Sequence, residues 1–199
     1  MNHLHFVDKY GSFTMDKPEN VSYLYFPLAS ETGLKSSLTP NLGGDAKIDQ
    51  ETFLLEPVSA ENLHSNRGVR NFWLVDEDGQ AFSVSGASAR QEADRFTPAQ
   101  DDSRLTAGLM WQTVERTAQD LGLDTEVTAF CPRQDNVEIL CITVRNQQEQ
   151  PRWLTPIAAV PLYGRSADNI RDHRNVTSML HRIWTTENGV KTYRGDWIQ

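Results

Sequence analysis

The segment Gly164–Arg174 reads G-R-S-A-D-N-I-R-D-H-R, the densest run of chemistry-bearing side chains in the chain. Arg165, Asp168, Asn169, Arg171, Asp172, His173 and Arg174 fall within ten residues. Planar guanidinium, carboxylate and amide groups are what adjacent sugar hydroxyls need for paired hydrogen bonds. The same groups can also pair with one another and hold the loop against a neighbouring domain, so both readings stay open. A second stretch, Glu61–Asn71, carries Arg67, Arg70 and His64 in a similar polar setting and leaves the same two readings. Five tryptophans, Trp73, Trp111, Trp153, Trp184 and Trp197, include candidates for a sugar-stacking platform, against the alternative that they fill sheet cores.

Other chemistries find less support. Gly33-Leu34-Lys35-Ser36 and Gly189-Val190-Lys191-Thr192 resemble the end of a phosphate-binding loop, but neither has the earlier glycine. Gly86-Ala87-Ser88-Ala89-Arg90 lacks the second glycine of a nucleophile elbow. The five histidines (His3, His5, His64, His173, His181) show no metal-ligand spacing, so no metal is expected. Cys131 and Cys141 flank a turn near Asp135; a redox pair across a hairpin is one reading, two small buried apolar residues the other.

The bulk numbers narrow the class. A 199-residue chain with 38% hydrophobic and 23% charged residues has enough material for one sizeable domain. A net charge of −8 argues against a nucleic-acid partner. Met1–Gly11 has no apolar run of the signal-peptide kind, and no run approaches the roughly 20 apolar residues of a membrane span, so a cytoplasmic address is expected.

The elements that must position the polar loops read as strands. Thr125–Tyr163 predicts strand, turn, strand, turn, strand. Its middle run, Val137–Val144, is apolar on both alternating faces, which predicts a strand covered on both sides. Val21–Ala29 and Leu34–Thr39 predict a first hairpin about Ser30–Gly33. Phe72–Val75 and Ala81–Val84 predict another about Asp76–Gly79, with Phe53–Leu55 a short strand between the two hairpins. Gly86–Asp102 reads as a surface loop. Ser103–Leu121 fits a strand by alternation and a helix by spacing, and its polar second half favours the strand. The sum is an all-β chain, a large antiparallel sandwich.

Three further segments join the Val127–Asn146 run (F-C-P, then N-V-E-I-L-C-I-T-V-R-N). They are Y-L-Y-F-P-L-A at Tyr23–Ala29, L-E-P-V-S-A-E-N-L-H at Leu55–His64, and the Pro161–Arg174 run. Together they resemble the N-terminal domain of the inverting glycoside phosphorylases of the cellobiose phosphorylase type, and within it the 1,2-β-oligoglucan phosphorylase branch. The resemblance runs from about Phe13 to Val190. It implies a galactose mutarotase-like supersandwich that precedes an (α/α)₆ barrel. It also implies reversible phosphorolysis of β-1,2-linked glucose oligomers to α-glucose 1-phosphate, with no metal or organic cofactor. Phosphate attacks the anomeric carbon in line while an acid protonates the leaving oxygen, with inversion. The acid and the phosphate site of such proteins lie in the barrel, so no catalytic residue carries over. The expected role is to support the sugar cleft and pack on the barrel, inactive alone, with a β-glucan and the barrel as partners. Exposure of the docking face predicts self-association. Rival classes are a free-standing carbohydrate-binding module, and a small sugar-anomerising enzyme that would need His64 or His173 beside a carboxylate.

Overall fold

The computed structural model describes residues 4–21, 24–58, 68–164 and 182–193. Strands β1 (Leu4–Phe6), β2 (Phe13–Asp16), β3 (Phe26–Ala29), β4 (Lys35–Leu38) and β5 (Ala46–Lys47) come first. Then follow β6 (Asn71–Asp76), β7 (Ala81–Ser83), helix α1 (Ala89–Asp94), β8 (Asp102–Gly108), β9 (Trp111–Ala118) and β10 (Leu123–Phe130). The last are β11 (Ile139–Asn146), β12 (Leu154–Ala159), β13 (Arg182–Thr186) and β14 (Gly189–Tyr193). Every pairing among them is antiparallel, as the all-β reading expects.

The largest sheet has six strands in the order β1-β2-β8-β9-β10-β11. Its middle is set by period-two patterning. β10 alternates buried and half-buried along its whole length, with Leu123, Thr125, Val127 and Ala129 inward. A three-stranded sheet, β12-β6-β7, and another, β3-β4-β5, close over that inner face. One core draws on all three sheets: Leu28 and Leu38, then Leu74 and Phe82, then Val127 and Ala129. A second core joins Phe26 to Leu105, Ala107 and Val114. β13 and β14 form a hairpin of their own.

Several expectations hold and several change. The hairpins at Ser30–Gly33 and Asp76–Gly79 form as β3–β4 and β6–β7. Ser103–Leu121 is not one strand but the β8–β9 hairpin turning at Leu109 and Met110, where Met110 takes φ +63°. Phe53–Leu55 contributes only an isolated bridge from Phe53 to Lys47. Within the expected loop Gly86–Asp102, Ser88 and Gln91 close a capping box and start α1.

Among the described residues, the strand expected to be covered on both faces is an open edge of the six-stranded sheet. β11 is half-buried to exposed along its length. β12 does not continue the meander; it crosses to pair with β6. The two cysteines do not face each other: Cys141 sits opposite Thr128, Cys131 lies beyond the end of β10, and both are free thiols.

The two long edges differ in kind. Gln147 N–H donates to the Gly122 carbonyl, which continues the β10–β11 ladder. Alternation then points the N–H and C=O groups of Leu140, Ile142 and Val144 away from β10, toward the open side. On β6, Asp76 N–H donates to Gln80 and Val84 N–H to Phe72. The even residues of β6 therefore serve β7, and the odd ones serve β12. Pro156, opposite Leu74, thus places its missing N–H on the free edge of β12. β12 is blunted against strand addition and β11 is not.

Candidate functional site

Arg165, Asp168, Asn169, Arg171, Asp172, His173 and Arg174 lie outside the described residues, as do His64, His173 and Trp197. Arg70, from the second polar stretch, is described and is structural. Its guanidinium is 3% exposed and meets Glu138 through Nε at 2.5 Å and Nη2 at 3.0 Å. Nη2 also donates to Ser36 Oγ at 2.9 Å and the Asp45 carbonyl at 3.0 Å, and Nη1 to the carbonyls of Leu42 and Gly44. Burial pushes the Arg70 pKa down from its ordinary value, and Glu138 opposes that shift. Cys131 nearby is pushed up to about 11, first by burial and then by the Glu138 charge. Its thiol is therefore protonated and poorly nucleophilic at neutral pH. The sequence carried no hint of this bolt, because Arg70 and Glu138 stand 68 positions apart.

A second buried ion pair ties the inner face of β9 to the 3₁₀ turn Pro18–Asn20. Arg116 Nη1 approaches Glu19 Oε1 at 3.4 Å and Asp101 Oδ2 at 3.7 Å. Ser103 Oγ donates to the Glu19 carboxylate at 2.8 Å, and Gln100 Nε2 at 3.1 Å. Burial works to raise the Glu19 pKa; Arg116 and these hydrogen bonds outweigh it and hold the carboxyl below its ordinary value. Gly86 takes φ +74° and lies so close that a Cβ there would stand 2.3 Å from Arg116 Nη2.

Two concavities flank this network. One, about 530 Å³, lies on the outer face of the six-stranded sheet. Its charged groups are mostly paired with neighbours, Arg104 with Asp16 at 3.0 Å and Lys17 with Asp102 at 3.9 Å. The other, about 450 Å³, is a cleft between β7, α1, the Pro98–Asp101 segment and the 3₁₀ turn Gln119–Leu121. Apolar Phe82, Ala118 and Leu121 line it together with four glutamines, Gln80, Gln91, Gln100 and Gln119. Gln91 is fixed by the capping box and donates to the Ser83 carbonyl and to Asp101 Oδ2 at 2.7 Å. Gln100 is held by Asn20, Glu19 and the Phe96 N–H. Arg90 on α1 bridges to Asp120 across the cleft. No tryptophan lines either concavity: Trp153 is exposed and Trp111 packs beside Gly108. Among the described residues no cluster of histidine, cysteine and carboxylate groups could hold a metal. No described helix is long and apolar enough to cross a membrane.

A search of curated proteins finds no match to the chain. Protein-family models do: residues 45–194 match the glycosyl hydrolase 94 supersandwich domain. That span covers about three quarters of the 199 residues and contains β5 to β14, with β1 to β4 before its start. With its all-antiparallel architecture and this match, the chain belongs to the supersandwich-domain family of glycosyl hydrolase 94, the N-terminal domain of the cellobiose phosphorylase type.

Proposed function

We propose that the chain is the supersandwich part of a phosphorylase for β-1,2-linked glucose oligomers, with no turnover of its own. The family match over residues 45–194 carries this reading. The β-1,2 linkage rests on the sequence resemblance at Tyr23–Ala29, Leu55–His64 and Pro161–Arg174. In the whole protein a phosphate oxygen bonds to the anomeric carbon as the glycosidic bond breaks. An acid on the barrel gives the leaving oxygen its proton. The sandwich supports the cleft, and the 165–174 segment is the candidate for touching the sugar.

The surface supports a packing role. Trp153 is 76% exposed, and Ile157 and Val160 about half exposed, along and beside β12. Trp153 and Ile157 stand at odd positions and so point to the same side of β12, and large apolar groups exposed on one side are what a contact face offers. The barrel is the proposed occupant in the whole protein; without it, the same face and the open edge of β11 drive self-association.

Two assays test the reading. The purified chain, given orthophosphate and either a β-1,2- or a β-1,4-glucan, should release no α-glucose 1-phosphate; release would overturn the non-catalytic role. In a calorimetric titration the β-1,2-glucan should give the larger saturable heat. Equal or stronger binding of the β-1,4-glucan would overturn the linkage.

A further inference from the structure

We propose that the cleft of about 450 Å³ between β7, α1 and the Gln119–Leu121 turn is a second saccharide site, for a neutral sugar and not for a sugar phosphate. The inference rests on the phosphorylase reading only for the choice of probe; the site itself is argued from its lining. A cleft of this size lies in the range of small-ligand sites. Its larger apolar groups are Phe82 and Leu121, and four glutamine amides line it beside four aspartates, Lys17 and Arg90.

The charges there are already spoken for. Asp120 and Asp94 face Arg90, the latter at 3.7 Å. Asp102 faces Lys17, and Asp101 accepts from Gln91 beside Arg116. Each carboxylate already has a hydrogen-bond or ion-pair partner, so an ammonium ligand would have to displace one. The lining holds four aspartates against two cations, Lys17 and Arg90, so a phosphate entering it meets net repulsion. What stays available is neutral hydrogen-bonding capacity. The Gln80 amide has no side-chain partner among the described residues. Gln119 uses only Nε2, in a long 3.4 Å contact to Asp102, which leaves its carbonyl oxygen to accept. An amide offers a donor and an acceptor side by side, the complement of two adjacent hydroxyls. The inner wall is preorganised, because Gln91 and Gln100 are locked by their own hydrogen bonds. The ordering cost of binding then falls on the exposed Gln80 and Gln119 side chains alone.

The test is calorimetric titration of the full chain with a β-1,2-linked glucose trimer, a β-1,4-linked trimer, α-glucose 1-phosphate and spermidine. Gln80→Ala and Gln119→Ala are the variants, since neither glutamine is part of either buried ion pair. At least one trimer should bind saturably, on the order of millimolar or tighter. Each variant should weaken that binding about tenfold, the loss of one neutral hydrogen bond. α-Glucose 1-phosphate and spermidine should give no saturable heat. Trimer binding unchanged in both variants puts the sugar elsewhere and overturns the cleft while leaving the linkage reading intact. Preference for the β-1,4 trimer, lost in the variants, overturns the linkage and upholds the cleft. Binding of the phosphate or the amine as tight as the trimer, or no binding at all, overturns the cleft.

Discussion

Replacing Arg70 by Met removes the bolt that holds the β3-β4-β5 sheet and the start of β11 together. The guanidinium is 3% exposed and the Glu138 side chain 11%. Its loss strands a carboxylate in a poorly solvated place and leaves Ser36 Oγ and the carbonyls of Leu42, Gly44 and Asp45 short of a donor. Breaking a buried pair from one side costs about 3–5 kcal/mol. For a chain of this size that lowers the thermal midpoint by roughly 6–20 °C. Glu138→Met should cost less, because Arg70 keeps its other acceptors. The double variant should cost less than the sum of the two, with a coupling of about 2 kcal/mol. Urea unfolding of the four proteins gives all terms. The Arg133–Glu31 pair is an internal control. At 2.6 Å it is as short, but it is 77% and 57% exposed, so Arg133→Ala should cost at most about 1 kcal/mol. If Arg70→Met costs no more than Arg133→Ala, or if the double variant is simply additive, burial is not what gives the Arg70 pair its weight, and the reasoning fails.

Gly86→Ala forces an L side chain into φ +74° and displaces Arg116 from Glu19, so it should cost about 2–3 kcal/mol in urea unfolding. In an Arg116→Met background the extra cost should shrink to the backbone strain alone; an unchanged cost there would remove Arg116 from the explanation. Because the folded-state pKa of Glu19 lies below its ordinary value, its contribution to stability is complete above that ordinary value and is lost as pH falls through the folded one. Urea midpoints should therefore drop on acidification below about pH 4.5, and Glu19→Gln should flatten that drop; equal slopes would refute the assignment. Cys131, pushed up to about 11 from 9.0, should react with a thiol reagent at pH 8 roughly a hundredfold more slowly than an ordinary thiol, so exposed Cys141 labels first. Val144→Lys places a charge on the open edge of β11 and should reduce concentration-dependent association in sedimentation; the same change at Ala158, on the edge that Pro156 already blunts, should have little effect.

What the sequence made legible follows the range over which each signal acts. The turns at Ser30–Gly33 and Asp76–Gly79 are local chemistry, and they formed where acidic and glycine residues placed them. The helix α1 was also written locally, in Ser88 and Gln91, but six residues are too few to show a helical period. The Arg70 bolt and the Glu19–Arg116 pair join residues 68 and 97 positions apart, beyond anything spacing can display. The candidate residues of the 165–174 segment fall outside the described residues.

β11 is the instructive miss. A strand apolar on both alternating faces reads as buried, yet this one stands at an edge with Cys141 exposed and Val144 more than a third exposed. The pattern reports the surroundings a strand is suited to, which need not be those the described residues give it. β12, the other long edge, carries a proline at the one kind of position where its missing N–H blocks a newcomer and costs the sheet nothing. Among the described residues, one edge is blunted and the other is apolar, continuous and without a proline. Among the described residues, then, β11 is the edge on which an added strand would meet no proline, and β12 the edge on which it would.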